Sequence, residues 1–206
     1  MRGLIYDVVI RPLTAGWYRE VLSRLALRAR LLDVGIGTAG ALVANAPMIW
    51  QKDLHIVGVD IDPDYIERAG KLVREKSLEG HVQVRLQSVY DHVGNAPYDA
   101  VYFSASFMLL PDPAACLRHI RHQLAPGGRV FFTQTFQEKR SALMEKAKPM
   151  LHKVTTIHFG SVTYEADFMA ILRAAGMHVD TLETIGKAGP RTYRLVVARF
   201  DQEASA

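Results

Sequence analysis

The sequence predicts an α/β fold in which helices cover both faces of a mostly parallel, doubly wound sheet. Short apolar runs alternate with amphipathic segments between residues 30 and 135. This alternation is typical of parallel strands joined by right-handed helical crossovers. The last two apolar runs, 178–185 and 191–200, are separated only by a turn that contains Gly186, Gly189 and Pro190. Strands joined so tightly pair antiparallel, so we expect a hairpin at one edge of the sheet.

The first half of the sequence is predicted to contain three strands and three helices. A helix is predicted over residues 14–29, because Trp17, Val21 and Leu25 recur at intervals of four. Pro47 is expected to disturb the last turn of the second helix. In order, the elements after the first helix are a strand over 30–34, a helix over 38–50, a strand over 55–60, a helix over 63–78 and a strand over 82–87.

Capping residues, proline and glycine mark the ends of several helices. Asp62 is a suitable N-cap for the third helix, and Pro63 fits its first turn. Pro126 and the two glycines after it stop a later helix, and Gly176 ends the helix before the hairpin. The second half contains a strand over 100–103, a helix over 111–124, a strand over 129–135, a helix over 139–153, a polar and aromatic stretch over 155–160, a helix over 165–175 and the hairpin.

The composition excludes several classes of protein. The chain has 206 residues, of which 49% are hydrophobic and 22% are charged, as is usual for a globular domain with a buried core. Its single cysteine, Cys116, can form no intramolecular disulfide and no cysteine-rich metal site, so we expect no metal and a cytoplasmic location. Asp7 interrupts the apolar run at 3–10, and the sequence contains no run of about 20 apolar residues, the length that a membrane-spanning helix needs.

The net charge of +4 resides in the first 30 residues, which contain six arginines and two acidic residues. A second basic excess lies at 139–153. Neither stretch alternates basic with aromatic side chains, as grooves for single-stranded nucleic acid usually do. We interpret both stretches as solvated helix faces, and we do not expect nucleic acid as a partner.

A glycine-rich turn after the first strand predicts a cofactor site. Gly35, Gly37 and Gly40 fit the pattern G-x-G-x-x-G between a strand and a helix. There the backbone can turn sharply, and the helix N-terminus favours an anion. Asp60, at the end of the next strand, can accept hydrogen bonds from both hydroxyls of an adenosine ribose. NAD and S-adenosylmethionine both carry that ribose, so these residues leave the identity of the cofactor open.

Asp33 distinguishes between the two cofactors, because its carboxylate would repel a pyrophosphate and favour the ammonium group of a methionine moiety. The pattern Asp33-x-Gly35-x-Gly37 at the end of a strand resembles motif I of class I S-adenosylmethionine-dependent methyltransferases. Four later segments resemble further motifs of that family in the same order: Val57-Gly-Val-Asp-Ile-Asp-Pro63, Tyr98-Asp-Ala-Val-Tyr-Phe-Ser104, Leu110-Pro-Asp-Pro113 and Leu124-Ala-Pro-Gly-Gly-Arg-Val130.

The resemblance covers roughly residues 30–200 and implies a Rossmann-like three-layer fold whose seven-stranded sheet has the order 3-2-1-4-5-7-6. It implies a single methyltransferase domain over 1–206, with a helical leader at 1–29 and an insert at 137–163 that covers the substrate. The implied cofactor is S-adenosylmethionine. The residues implied to bind it are Tyr6, Asp33, Gly35, Ile36, Gly37, Gly40, Asp60, Ile61, Ser88, Val89 and Ser104.

Three positions depart from the pattern of the family. Ser88 stands where an aspartate often contacts the adenine amine, and Ser104 stands where asparagine is common. Ala39 replaces the usual third glycine of motif I, and Gly40 follows it. A serine can still accept a hydrogen bond, so none of these departures removes the core of the cofactor site.

The methyl acceptor is expected to be a small, partly apolar molecule, because only the leader and the insert remain to form its pocket. The Asp/Asn-Pro-Pro-Tyr/Phe signature of amino methylation is missing after the fourth strand. The candidate substrate-binding residues are Trp17, Phe107, Met108 and His158, and Phe107 also fits a role in the core. His158 and Tyr164 are the candidate catalytic residues, His158 because imidazole titrates near neutral pH.

Two alternatives remain open from the residues alone. A nicotinamide-dependent oxidoreductase shares the glycine pattern and the aspartate at the end of the second strand. A catalytically silent subunit that binds S-adenosylmethionine beside an active partner would carry the same motifs. The sequence does not indicate an oligomeric state.

Overall fold

The computed structural model describes residues 2–137 and 163–201, with side chains from residue 13 onward. The helices are α1 (Arg2–Arg24), α2 (Gly40–Val43), α3 (Ala46–Lys52), α4 (Pro63–Glu75), α5 (Pro113–Arg121) and α6 (Glu165–Ala174). The strands are β1 (Arg30–Val34), β2 (His55–Asp60), β3 (Val82–Leu86), β4 (Tyr98–Ser104), β5 (Leu124–Gln137), β6 (Met177–Ala188) and β7 (Arg191–Phe200). A short 3-10 helix at Phe107–Leu109 follows β4.

The seven strands form one sheet with the order β3-β2-β1-β4-β5-β7-β6, which confirms the predicted order. β1 pairs in parallel with β2 on one side and with β4 on the other. β7 pairs antiparallel with β5 and with β6, so the hairpin edge is also confirmed. The chain leaves β1 towards β2 on one side and later returns to β4 on the other side of β1. In open α/β sheets, ligands bind at the carboxyl ends of strands where the order reverses in this way.

Side chains alternate between the two faces of the sheet, and each face has its own core. On the first face, apolar residues of α1 to α4 pack against Leu31, Ile56 and Tyr102. On the second face, α5 and α6 pack against Leu32 and Phe103. Helices on both faces of a mostly parallel sheet make the predicted three-layer arrangement.

The structure corrects two predicted helices. The segment 38–50 forms two helices, α2 and α3, because the chain bends at Asn45 and Pro47 lies in the first turn of α3. A proline there loses no helical hydrogen bond, so it begins a helix and does not disturb the end of one. α1 extends from Arg2 to Arg24, whereas the prediction was 14–29. The predicted helix at 139–153 and the stretch at 155–160 lie outside the described residues.

Candidate functional site

The loop after β1 is tied to the end of β2 by backbone hydrogen bonds. The N–H groups of Gly35 and Ile36 donate to the carbonyl oxygen of Val59 at 2.9 and 3.2 Å. The N–H of Gly37 donates to Oδ2 of Asp60 at 2.9 Å. These contacts hold the glycine loop against the last two residues of β2.

Gly35 and Gly37 both have a left-handed backbone, with φ of 76° and 58°, but their surroundings differ. A Cβ at Gly35 would lie 2.6 Å from Cβ of Ser106, because the loop after β4 packs directly on this residue. The Ser106 hydroxyl donates to the carbonyl oxygen of Val34 in a short hydrogen bond. A Cβ at Gly37 would meet no atom within 4 Å, so the backbone there borders open space that a ligand can approach.

Asp60 is partly buried, and each of its carboxylate oxygens accepts one backbone hydrogen bond. Oδ2 accepts from Gly37, and Oδ1 accepts from the N–H of Asp62 at 3.0 Å. Since each oxygen has a second lone pair, the carboxylate can accept two further hydrogen bonds. The next residue, Ile61, is 75% exposed and presents an apolar side chain beside the carboxylate.

Asp33 is fully buried in β1, and only one of its oxygens has a partner among the described residues. The hydroxyl of Tyr18, on α1, donates to Oδ2 of Asp33 at 2.8 Å, while Oδ1 is buried without a hydrogen bond. Burial raises the pKa of Asp33 to about 7, the Tyr18 hydrogen bond opposes that rise, and the charge of Asp60 adds to it. A buried acceptor without a donor is costly, so this oxygen is suited to an N–H donor from a ligand.

The end of β4 carries a polar cluster on the same face as Asp33. Tyr102 pairs with Asp33 in the register of the sheet, and its hydroxyl lies 2.8 Å from Oγ1 of Thr133 on β5. Burial raises the pKa of Tyr102, against the opposing effect of hydrogen bonds with Ser104 and Thr133. Ser104 therefore lies at the carboxyl end of β4, where its hydroxyl is already hydrogen-bonded to Tyr102.

Phe107 and Met108, two candidate substrate-binding residues, are placed differently. Phe107 is fully buried and packs edge-on against Phe132 and Phe168, with ring centroids 4.9 and 5.6 Å away. Its side chain therefore belongs to the core of the second face, which is the other role that its sequence context allowed. Met108 is only partly buried and packs at the margin of that core.

Trp17 and Tyr164 are both largely buried. The ring of Trp17 tilts against Tyr193 of β7, with centroids 5.5 Å apart, and its Nε1 is buried with no hydrogen-bond partner among the residues that the structure describes. Tyr164 is 6% exposed and occupies the N-cap position of α6. His158 lies outside the described residues, and Tyr6 falls on α1 where side chains are not described.

The remaining predicted cofactor residues lie around the loop and at the end of β3. Ile36 is buried and packs directly on Gly58, where a Cβ would have no room, so its side chain supports the loop from within. Gly40 begins α2. Ser88 is partly exposed and accepts a hydrogen bond from the N–H of Tyr90, while Val89 is buried.

Three residues of the site were missed by sequence reasoning. Neither Tyr18 nor Ser106 is singled out by the sequence, and Tyr193 is included only as part of a predicted strand. Their partners lie 15 or more residues away in the chain, as with Tyr18 and Asp33 or Ser106 and Val34. The buried position of Tyr18 on the apolar side of a helix, before a strand that contains a lone aspartate, is the one signal that could have indicated a pair.

The donors and acceptors at the carboxyl edge fit a cofactor that combines an adenosine with an amino acid. A ribose needs the acceptors of Asp60, an adenine needs an apolar contact such as Ile61, and an ammonium group needs an acceptor such as the unpartnered oxygen of Asp33. Among the described residues, no three His, Cys, Asp or Glu side chains group closely enough to hold a metal ion. No helix within those residues is long and apolar enough to cross a membrane.

Comparison with known proteins identifies the family. Residues 12–182 match the family described as methyltransferase domain. The ubiquinone biosynthesis O-methyltransferase of Xylella fastidiosa (strain M23) is 31% identical over 182 residues, which cover 84% of this chain and 70% of that protein. The enzyme of the same name from Aeromonas salmonicida is 27% identical over 82% of this chain and 71% of its own length.

Solved structures share the fold at lower identity. An S-adenosylmethionine-dependent methyltransferase from Aquifex aeolicus superposes with a TM-score of 0.68 at 20% identity, covering 90% of each chain. The geranyl diphosphate C-methyltransferase of Streptomyces coelicolor, solved with S-adenosyl-L-homocysteine, gives 0.69 at 13% identity, over 91% of this chain and 78% of its own.

These matches decide between the two adenosine cofactors that the residues alone left open, and they support neither the oxidoreductase nor the silent subunit. The family described as methyltransferase domain spans most of the chain, and the sheet order is the one that its motifs imply. The chain belongs to the class I S-adenosylmethionine-dependent methyltransferases.

Proposed function

We propose that this enzyme transfers a methyl group to the hydroxyl oxygen of a small, partly apolar acceptor such as a phenol with an alkyl substituent. The observation that carries the proposal is the 31% identity, over 84% of this chain, to a relative named as an O-methyltransferase of ubiquinone biosynthesis. S-adenosylmethionine, when bound, supplies an activated methyl group on a sulfonium. The chain must then bind that cofactor, orient the acceptor and handle the hydroxyl proton.

The cofactor would be held mainly by Asp33, Gly37, Asp60 and Ile61. Asp60 would accept from the ribose hydroxyls with the lone pairs that its two backbone contacts leave unused. Ile61, 75% exposed, would cover the adenine, and Gly37 would let the methionine moiety pass close to the backbone. The Asp33 carboxylate would attract the ammonium group. Other contacts that belong to the proposal are those of Tyr6, Gly35, Ile36, Gly40, Ser88, Val89 and Ser104.

The acceptor would lie beyond the end of β4, between α1 and the segment that follows β5. Trp17 and Met108 would supply apolar surface there, and the indole Nε1 of Trp17 lacks a partner among the described residues. An unpaired donor next to aromatic surface suits a ring that carries an oxygen. We further propose that residues 137–163 close over this acceptor and that the leader, residues 1–29, forms the opposite wall.

The hydroxyl proton needs a base, and His158 remains the candidate for that role. A phenol has an ordinary pKa of about 10, so at neutral pH its oxygen is a weak nucleophile until the proton is removed. The six described histidines are placed elsewhere. His55 and His81 lie near the amino ends of β2 and β3, and His92 contacts Tyr98 at the start of β4. The other three lie in α5, just after it and at the start of β6: His119, His122 and His178. Tyr164 would assist as a hydrogen-bonding residue at the start of α6.

Cellular context is a further part of the proposal. A cytoplasmic location is supported by the single cysteine, Cys116, which is buried and unpaired. Burial raises the pKa of its thiol to about 12, so the thiol stays protonated and unreactive at neutral pH. The partner of the enzyme is a small molecule in this proposal, with no role for nucleic acid.

The acceptor class can be tested with S-adenosylmethionine labelled in its methyl group and a matched panel of acceptors. The panel contains alkyl-substituted phenols together with the corresponding anilines and thiophenols. We expect labelled methyl ethers from the phenols, and a His158→Gln variant should lose most of this activity while its binding of S-adenosylhomocysteine stays normal. Exclusive labelling of an aniline or thiophenol would overturn the oxygen assignment. Cofactor binding without turnover of any acceptor would favour a silent subunit.

The ribose contact predicts the effect of Asp60→Ala. The substitution removes the proposed acceptors and should weaken the binding of S-adenosylhomocysteine by at least about tenfold, the loss expected for a hydrogen bond to a charged group. Asp62→Ala is the matched control, because Asp62 caps α4 through the N–H groups of Asp64 and Tyr65 and lies two residues away. It should lower the stability by about 1 kcal/mol and leave binding nearly unchanged. Calorimetry measures the affinity and the stability of both variants, and normal affinity in Asp60→Ala would exclude the ribose role.

A further inference from the structure

We propose that Tyr18 is a positioning residue for the cofactor: its hydroxyl holds one oxygen of Asp33, so that the other oxygen remains available and ionised for the ammonium group of S-adenosylmethionine. This inference rests on the proposed cofactor role of Asp33. It gives the leader helix a direct effect on cofactor binding, in addition to its place beside the acceptor.

The geometry fixes both side chains of the pair. Tyr18 is 3% exposed and Asp33 is fully buried, and their hydrogen bond of 2.8 Å joins α1 to β1. The ring of Tyr18 packs edge-on against Tyr102, with centroids 5.0 Å apart and an interplanar angle of 86°. Because Tyr102 neighbours Asp33 in the sheet, the phenol of Tyr18 is held on two sides. The hydroxyl therefore binds one oxygen, and the other has no donor within the described part of the chain.

The groups that surround Asp33 explain why the hydroxyl matters. The described titratable groups that act on this carboxyl are Tyr18 from α1 and Asp60 from β2, and neither of them is a cation. Tyr102 of β4 also faces Asp33, and because burial raises its pKa, its phenol stays neutral near neutral pH. Burial and the like charge of Asp60 raise the pKa of Asp33, and the Tyr18 hydrogen bond is the effect that lowers it. Burial also raises the pKa of Tyr18, so its hydroxyl keeps the proton that it donates.

The ammonium group of the cofactor supplies the cation that these surroundings lack, and it binds the ionised carboxyl in preference to the protonated one. Removal of the Tyr18 hydroxyl raises the pKa of Asp33 further, so less of the carboxyl is ionised near neutral pH. Binding then weakens most at low pH and recovers as the pH rises. A purely structural role for Tyr18 would instead weaken binding by the same factor at every pH.

The test is the affinity for S-adenosylhomocysteine, measured by calorimetry between pH 5.5 and 8.0, for the wild type and Tyr18→Phe. If the pKa of Asp33 rises by about one unit, binding weakens about ninefold at pH 6, about fivefold at pH 7 and less than about twofold at pH 8. Tyr102→Phe is the matched control, because its hydroxyl contacts Thr133. Its pH profile should follow that of the wild type.

Two further measurements separate the possible failures. 5′-Methylthioadenosine lacks the ammonium group, so its affinity should be the same in the wild type and in Tyr18→Phe at every pH. In an Asp33→Asn background, Tyr18→Phe should no longer change the pH profile. A Tyr18→Phe profile that coincides with the wild type, or that is displaced equally at all pH values, would overturn the inference about Tyr18. Wild-type affinity in Asp33→Asn would instead refute the cofactor role of Asp33 itself.

Discussion

Two glycines of the loop after β1 have the same left-handed backbone, and they predict opposite consequences of substitution by alanine. Gly35→Ala combines a positive φ with a Cβ only 2.6 Å from Ser106, so we expect it to lower the free energy of unfolding by about 3 kcal/mol or more. Gly37→Ala has only the backbone penalty, about 1 kcal/mol. Urea unfolding of both variants measures the difference.

Cofactor binding should show the opposite order. Where both variants remain folded, Gly37→Ala should be the variant that binds the cofactor more weakly. The methyl group at residue 37 would extend into open space beside the backbone, which is the path proposed for the methionine moiety. We expect Gly37→Ala to bind S-adenosylhomocysteine at least about tenfold more weakly, a loss of about 1.4 kcal/mol, in spite of its nearly normal stability. Equal stability of the two variants would show that the loop after β4 yields to residue 35.

Part of the site could be predicted at the level of single residues, because its signals are local. The glycine loop, Asp33 and Asp60 lie next to strand ends that the apolar pattern locates. Tyr18 and Ser106 could not be assigned, since their contacts with β1 join residues 15 and 72 positions apart. Which side chain of a helix meets a given strand residue depends on the rotation and register of the packed helix, and these are set by the whole core.

At the level of elements, α1 is anchored to the rest of the fold by Lys52 of α3, whose ammonium group lies at the carboxyl end of α1. Nζ of Lys52 donates to the carbonyl oxygens of Leu22, Ser23 and Leu25 at 3.0, 2.6 and 2.7 Å. A cation at a helix carboxyl terminus satisfies unpaired carbonyls and opposes the negative end of the helix dipole. This contact holds in position the helix that carries Tyr18.

Lys52→Met should therefore lower the free energy of unfolding by about 1 to 2 kcal/mol and increase hydrogen exchange in the last turns of α1. Lys71→Met is the matched control: the side chain of Lys71 is 74% exposed and its nitrogen lies 3.9 Å from Glu75, so the expected loss is below about 0.5 kcal/mol. Exchange of the backbone amides, followed by mass spectrometry, locates the effect. Unchanged protection of α1 would show that the three carbonyls are equally well satisfied by water.

The elements themselves follow largely from the sequence, and the exceptions have local causes. The strands that alternate with helices were predicted because buried parallel strands are continuous apolar runs between turn residues. The division of 38–50 into α2 and α3 was missed, since a proline inside a periodic pattern fits either the end of one helix or the first turn of the next. Asn45 supports the second outcome, because its amide donates to the carbonyl oxygens of Ala15 and Ala41.

For the whole molecule, two buried titratable groups give opposite dependences of stability on pH. The pKa of Asp33 is raised by burial to about 7, so the folded state holds its proton more tightly than the unfolded state. Its contribution is fully favourable below about pH 4 and is lost as the pH rises to about 7. The pKa of His92 is lowered, first by burial and then by the charges of Arg85 and His119. Its contribution is fully present above about pH 6.5 and is lost as the pH falls below that value.

His92 predicts a loss of stability in mild acid that a single substitution should remove. Its Nδ1 lies 3.0 Å from Oε1 of Gln87, which can only accept, so the proton is on Nδ1 and Nε2 accepts from the Tyr98 hydroxyl at 2.8 Å. A second ring proton would disrupt that contact.

In an Asp33→Asn background, which removes the opposing contribution, we expect the free energy of unfolding to fall between pH 6.5 and 5. The slope from this one group cannot exceed about 1.4 kcal/mol per pH unit. Adding His92→Gln should remove this part of the slope, whereas adding His122→Gln at an exposed position should retain it. Urea unfolding at half-unit steps of pH measures the slope. If His92→Gln left the slope intact, the acid sensitivity of the fold would originate in another group. It would then follow that the segment 87–98 tolerates the doubly protonated ring of His92.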